Sequence, residues 1–209
     1  MTRGKFIALE GGEGAGKSTQ ARLLAEALAA CGFEVVVTRE PGGTAGAEAI
    51  RALLLDPSGE GWNPRAEALL FAAARSDHVE RLVRPALEAG KWVICDRFVD
   101  SSRAYQGGAG ELGDDDILTL HNVGSDGLLP DMTLLIEVSP EVAVARTAIR
   151  DGADADRIGG RDAAYHAAVA AAFRAMAKAD PARFVRIDGD GSREETHSLI
   201  LAAVKQAQC

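Results

Sequence analysis

Neither a disulfide framework nor a metal-binding cysteine pattern is written into these 209 residues, because Cys31, Cys95 and Cys209 form an odd, scattered set. A reducing cytoplasm is the compartment this predicts. Long apolar runs are also missing. The first is broken at Glu10, too early for the core of a signal peptide, and none is long enough to cross a bilayer. Basic charge is in deficit: the net charge of −8 argues against broad attraction to nucleic acid or anionic membranes. Anionic ligands must therefore be met by local arginine clusters, which suits small phosphorylated partners. There is no internal repeat and no long linker. With 47% hydrophobic residues the chain can bury a substantial core, which predicts one domain over 1–209 with a small mobile insertion.

What is present is organised around Gly11-Gly12-Glu13-Gly14-Ala15-Gly16-Lys17-Ser18, which satisfies G-x-x-x-x-G-K-[ST]. Such a loop lets backbone N–H groups close around phosphate oxygens, with Lys17 reaching the β- and γ-phosphates and the Ser18 hydroxyl placed for Mg²⁺. The flanks fit. Phe6-Ile7-Ala8-Leu9 suits a buried strand, and Leu23, Leu24, Ala27 and Leu28 recur at helical spacing between Ser18 and Cys31.

Further along, Gly32 is a helix stop and 33–38 reads as a second strand that delivers Arg39-Glu40-Pro41-Gly42-Gly43 at its carboxyl end, the ligand side of an open α/β sheet. A helix over 45–55 and a long one from Pro64 follow. In the second, Ala68, Leu69, Ala72 and Ala73 are expected to pack inward, while Phe71 and Arg75 share a face. A phenylalanine at such a position is more often core than ligand contact, but an aromatic ring beside a donor-only guanidinium can stack a base and read a keto oxygen. His78 has no recognisable partner in the sequence. Residues 91–97 read as a third strand ending in Asp96-Arg97, with Asp96 in a Walker B role and Arg97 able to hold a phosphate. Then come a candidate N-cap at Asp100, a polar and aromatic turn through Tyr105 and Gln106, and a break at Gly107-Gly108. Asp114-Asp115-Asp116 complements a helix N-terminus.

Strand 132–138 leads into a helix opened by Ser139-Pro140-Glu141. From Arg146 to Arg161 the composition shifts to Arg146, Arg150, Arg157 and Arg161 amid Gly152, Gly159 and Gly160, the profile of a mobile arginine-bearing lid. A helix over 163–179, a strand over 183–187 and a helix over 192–206 complete an alternating α/β pattern. Asp188-Gly189-Asp190-Gly191-Ser192 resembles the opening of a calcium loop, but Arg193 and Leu199 fall where glycine and glutamate are required. No calcium site is expected. The Asn-Lys-x-Asp tetrad of guanine-reading switches is missing as well, which leaves a compact kinase as the expected class.

Taken together, the Glu13-to-Ser18 loop, Thr38-Arg39-Glu40-Pro41-Gly42-Gly43, Asp96-Arg97, and Ser102 with Ala104-Tyr105-Gln106-Gly107-Gly108 resemble the thymidylate kinases over nearly the whole chain. The resemblance implies a P-loop fold with a five-stranded parallel sheet flanked by helices, similar to adenylate kinase, with a short lid at about 146–161. It also implies an ATP-dependent dTMP kinase that uses Mg²⁺ held by Ser18 and Asp96 and works as a cytoplasmic homodimer. ATP would meet Gly11, Gly12, Glu13, Gly14, Ala15, Gly16, Lys17, Ser18 and Thr19, with Arg146 on adenine. For dTMP, Phe71 would stack on thymine, Arg75 would donate to its O4, Ser102 and Gln106 would lie along the base edge, and Arg97 would hold the phosphate. Tyr105 would crowd the sugar 2′ position and Glu13 would face the 3′-hydroxyl. Glu40 and Asp96 would surround the phosphate and the Mg²⁺ waters. Some relatives carry an arginine at the position of Gly14; here the lid residues Arg157 and Arg150 are expected to supply that charge beside Lys17, Asp96 and Arg97. Gly159 replaces the glutamate that follows the lid triplet in many relatives. Another deoxynucleotide or nucleoside kinase on the same scaffold, or a nucleotide-binding module without turnover, stand as the other readings.

Overall fold

The computed structural model describes residues 3–56, 58, 61–151 and 158–206, without the side chains of 150 and 151. Five strands form a fully parallel sheet in the order β2-β3-β1-β4-β5: β1 (Phe6–Glu10), β2 (Val35–Arg39), β3 (Trp92–Asp96), β4 (Met132–Glu137) and β5 (Phe184–Asp188). Parallel strands need helical crossovers, and both sheet faces are therefore covered. That is why β1 is buried along its whole length. Its alternating side chains enter two layers. Ile7 and Leu9 pack with Ile94, Leu134 and Ile136 against Leu24 and Leu28 of α1 (Lys17–Ala30) and Ile200 of α9 (Arg193–Gln206). Phe6 and Ala8 face the other way, with Val93, Cys95, Phe98, Val79 and Val83.

The helices on that second side position most of the site. They are α2 (Ala45–Leu55), α3 (Pro64–His78), α4 (Arg84–Glu88), α5 (Val99–Ser102) and α6 (Asp114–Ser125). Asn63 caps α3, accepting from Ala66 N, and Pro64 takes the first helical position. The long helix expected from Pro64 widens into a π turn over Val79–Val83 before α4, where Pro85 has no N–H to continue the regular ladder. A second π turn over Arg103–Gly108 follows α5. Helix α7 (Pro140–Asp151) follows β4, and α8 (Ala163–Ala179) precedes β5. None of the helices described is long and apolar enough to cross a membrane.

Several expectations need correcting. Leu69 and Ala73 face solvent, Leu69 with 55% exposure, because the inward stripe of α3 is Glu67, Ala68, Ala74, Arg75 and His78. Polar side chains that find buried partners claim the inner face ahead of apolar ones that do not. Asp100 is no N-cap. It lies within α5, fully buried, and accepts from Arg183, Arg103 and Thr133. Strand β2 starts at Val35, two residues late, and Arg97 lies beyond the end of β3. The Asp188–Asp190 turn is consumed internally: Asp188 accepts from Asp190 N and Asp190 from Ser139 N.

His121 on α6 gives the fold a pH dependence. Its Nε2 donates to Leu128 O at 2.8 Å, and its ring meets Phe98 edge-on. Burial pulls its pKa from the ordinary 6.5 down to about 4, with Arg75 adding to the effect. Below pH 6.5 the unfolded chain takes up a proton that the folded chain refuses, so stability falls as pH drops from 6.5 to 4. Urea denaturation across that window is expected to show wild type losing up to about 3 kcal/mol more than His121→Gln.

Candidate active site

The phosphate loop leaves the carboxyl end of central β1 and enters α1. Gly11, Gly14 and Gly16 all have positive φ, so the loop turns its N–H groups inward at little conformational cost. Gly14 carries a second constraint. A Cβ there would lie 2.7 Å from Ala143 O and 3.1 Å from Thr147 Oγ1, so α7 rests directly on the loop. Lys17 Nζ donates to Gly11 O at 3.1 Å and Gly12 O at 2.7 Å. Burial, with Arg97 nearby, lowers its pKa to about 8. The Ser18 hydroxyl donates to Asp96 Oδ2. A hydroxyl and a carboxylate side by side at the mouth of the loop are hard oxygen donors that fit Mg²⁺, which takes few protein ligands and completes its shell with water and phosphate.

Arg97 stands opposite, at φ 68, a left-handed conformation that costs a non-glycine residue on the order of 1 kcal/mol or more. Its surroundings hold it there. Arg97 N donates to Leu9 O, and the buried Glu10 carboxylate accepts from Phe98 N, Ser101 N and Ser101 Oγ. Burial, reinforced by Asp100, pushes the Glu10 pKa up to about 7. The Arg97 guanidinium donates to Gly11 O, Ser101 Oγ and Glu13, and lies 5.1 Å over the Tyr105 ring. Tyr105 OH donates to the same Glu13 oxygen at 3.3 Å.

A second cluster comes from β2, α3 and the 97–108 segment. Arg75 Nε donates to Glu40 Oε2 at 2.8 Å and its Nη2 to Ser102 Oγ at 2.8 Å. Glu40 Oε1 lies 2.9 Å from His78 Nδ1, and His78 Nε2 lies 2.8 Å from Thr38 Oγ1. His78 is thus fully buried between two polar partners, a structural link that the sequence does not reveal. Both Glu40 oxygens are taken by Arg75 and His78. Burial works against ionisation of Glu40, but the Arg75 charge and the His78 hydrogen bond outweigh it and lower its pKa. Arg39, 53% exposed, pairs with Glu48 and also lines the large cavity.

One cavity of about 660 Å³ runs from the phosphate loop through Thr19, Asp96 and Arg97 to Phe71, Arg75, Ser102, Tyr105 and Gln106. Arg146 joins it from α7, its Nη2 donating to Gly191 O. Arg157 and the side chain of Arg150 lie outside the described residues. Arg51 of α2 also lines the cavity and donates to Pro41 O; it is the one basic residue of a helix whose only other charge is Glu48, and that is its signal in the sequence. Glu67 is legible by position, since 67, 71 and 75 trace one helical face.

A phosphate loop at the carboxyl end of the central strand, facing an arginine-lined pocket across the same cavity, defines a P-loop NTPase fold of the nucleotide-kinase kind. The family model described as thymidylate kinase matches residues 9–200. Similar proteins include the thymidylate kinase of Rhizorhabdus wittichii, 57% identical over 96% of this chain and 97% of that protein. That of Nitrobacter winogradskyi is 47% identical over 97% and 88%. The crystal structure of thymidylate kinase from Ehrlichia chaffeensis superposes with a TM-score of 0.77 at 33% identity, covering 99% of each chain. The chain belongs to the thymidylate kinase family.

The packing at Gly14 yields a prediction. Gly14→Ala forces a Cβ both into a left-handed backbone and against Ala143. Nucleotide affinity, read by titration calorimetry with ATP, is expected to fall roughly tenfold, as about 1–2 kcal/mol of strain requires.

Proposed function

We propose that this chain transfers the γ-phosphoryl group of ATP to dTMP, giving dTDP and ADP. The observation that carries this reading is the cavity in which Lys17 and Ser18 at one end face Phe71, Arg75 and Gln106 at the other. Family membership names the nucleotide. ATP phosphates sit in the loop 11–19 and adenine against Arg146. Thymine stacks on Phe71, Arg75 donates to O4, and Ser102 and Gln106 line the base edge. Tyr105 excludes a 2′-hydroxyl and Glu13 faces the 3′-hydroxyl. Glu40 acts at one remove, because its carboxylate is spent on orienting Arg75.

Arg97 passes from Glu13 to the acceptor phosphate when dTMP enters. An oxygen of that phosphate forms the new bond to the γ-phosphorus as the bond to the β–γ bridging oxygen breaks and ADP departs. Little proton transfer is needed, so positioning and charge stabilisation carry the rate. Lys17, Arg97 and, from the lid at about 146–161, Arg150 and Arg157 supply the positive charge. Ser18 and Asp96 would hold Mg²⁺, which would offset charge on the transferring phosphates. The family relationship and the net charge of −8 support a cytoplasmic enzyme of small-molecule substrates with no nucleic-acid partner.

A homodimer belongs to the same reading. Leu53 on α2, Leu69 on α3 and Val123 on α6 are 52%, 55% and 84% exposed, apolar positions that a second copy would cover. Sedimentation equilibrium is expected to give a dimer for wild type and a monomer-weighted mass for Leu69→Glu.

The activity is tested by coupled ADP release with dTMP, dUMP, dCMP, AMP and GMP, with and without Mg²⁺. Mg²⁺-dependent turnover strongest with dTMP is expected; preference for AMP overturns the pocket assignment, and no turnover overturns the kinase reading. Arg157→Ala is expected to lower kcat at least tenfold with little change in KM for dTMP.

A further inference from the structure

Glu67 lies behind the base end of the cavity and has no part in the phosphoryl transfer described above. It is 5% exposed and sits on α3 one helical turn before Phe71. It does not line the large cavity but a smaller one of about 280 Å³ on the far side of Gln106. Its two oxygens are both engaged. Oε1 accepts from Gln106 Nε2 at 2.9 Å and Oε2 from Arg161 Nη2 at 2.6 Å. Arg161 is itself held by Tyr165, whose hydroxyl donates to Tyr105 O. Gln106 is 3% exposed and lines both cavities.

A primary amide has a donor end and an acceptor end, and burial alone does not choose between them. A carboxylate paired with a guanidinium offers only lone pairs, so Gln106 must turn its NH₂ toward Glu67. The amide is planar, and its carbonyl oxygen therefore points away from Glu67. We infer that Glu67 is a specificity-determining positioning residue: by fixing the polarity of the Gln106 amide it presents an acceptor to the base edge, so that the acceptor site takes 2,4-diketo pyrimidines, which carry N3–H, and rejects the 4-amino pyrimidine, whose N3 is a lone pair. The inference rests on the dTMP reading. It also couples base choice to Arg161, at the far end of the segment expected to form the lid, because both use one carboxylate.

Glu67→Gln keeps size and shape but lets position 67 donate or accept, so Gln106 is free to invert. The experiment measures kcat/KM with dTMP, dUMP and dCMP for wild type, Glu67→Gln and the double variant Glu67→Gln/Gln106→Glu, with folding checked by thermal melting. The double variant reverses the pair: the amide introduced at position 67 donates, and the carboxylate introduced at position 106 accepts from it while still presenting an oxygen to the base. Expected for Glu67→Gln is a fall of at least tenfold in the dTMP-over-dCMP ratio, with the dTMP-over-dUMP ratio within twofold of wild type, since both of those bases carry N3–H. The double variant is expected to keep the wild-type ratio within about threefold. Equal losses on all three acceptors in Glu67→Gln, or loss of the dTMP preference in the double variant, overturn the inference. If Glu67→Gln does not fold, the double variant decides alone. Absence of dTMP turnover in wild type overturns the functional reading, and this inference with it; turnover with unmoved ratios overturns the inference only.

Discussion

A carboxylate removed from water must be met by cations or hydrogen-bond donors, and the packing around α3 and α5 is assembled by meeting that requirement four times. Glu10 gathers the backbone of 98–101, Glu40 holds Arg75 and His78, Glu67 holds Gln106 and Arg161, and Asp100 holds Arg183 and Arg103. Each joins elements far apart in the chain. Removing the cationic partner of a buried ion pair such as Glu40–Arg75 costs about 3–5 kcal/mol, because charge is left buried without full compensation. The same penalty that threatens the fold thus keeps the binding side chains in a single arrangement.

The phosphate loop obeys a different constraint, one of backbone rather than charge. The phosphate loop needs glycine where φ is positive, and at Gly14 it also needs the space that a side chain would take from α7. Seating α7 there brings Arg146 to the cavity. An arginine at position 14 is therefore incompatible with this packing, a steric ground for the proposal that Arg150 and Arg157 supply the charge instead. Arg97 bridges the two: its strained φ is held by Glu10 and Leu9, and its guanidinium touches Gly11 in the loop and the Tyr105 ring after α5.

Much of this is legible in order along the chain. The parallel sheet follows from five short apolar runs alternating with helical patterns, because strands buried on both faces need no polar alternation. The phosphate loop follows from spacing, and the Phe71–Arg75 pair from a shared helical face. Buried polar groups are where sequence reading fails. His78 gives no sign of a partner because Thr38 and Glu40 are 40 and 38 residues away. Asp100 reads as a cap because its partner Arg183 is 83 residues on. Hydrophobicity points Leu69 inward, whereas Glu67 and Arg75, better paired, hold the inner face.

The sequence by itself determined the local chemistry: which loop glycines can take a positive φ, which strands can be buried, and which side chains could bind phosphate, base or Mg²⁺. Those properties depend on a residue and its near neighbours. Only the tertiary structure decided which end of Gln106 faces the cavity, that Glu40 serves Arg75, and that α7 rests on Gly14. Each of these depends on desolvation and contact between segments that meet only when the sheet has closed around β1.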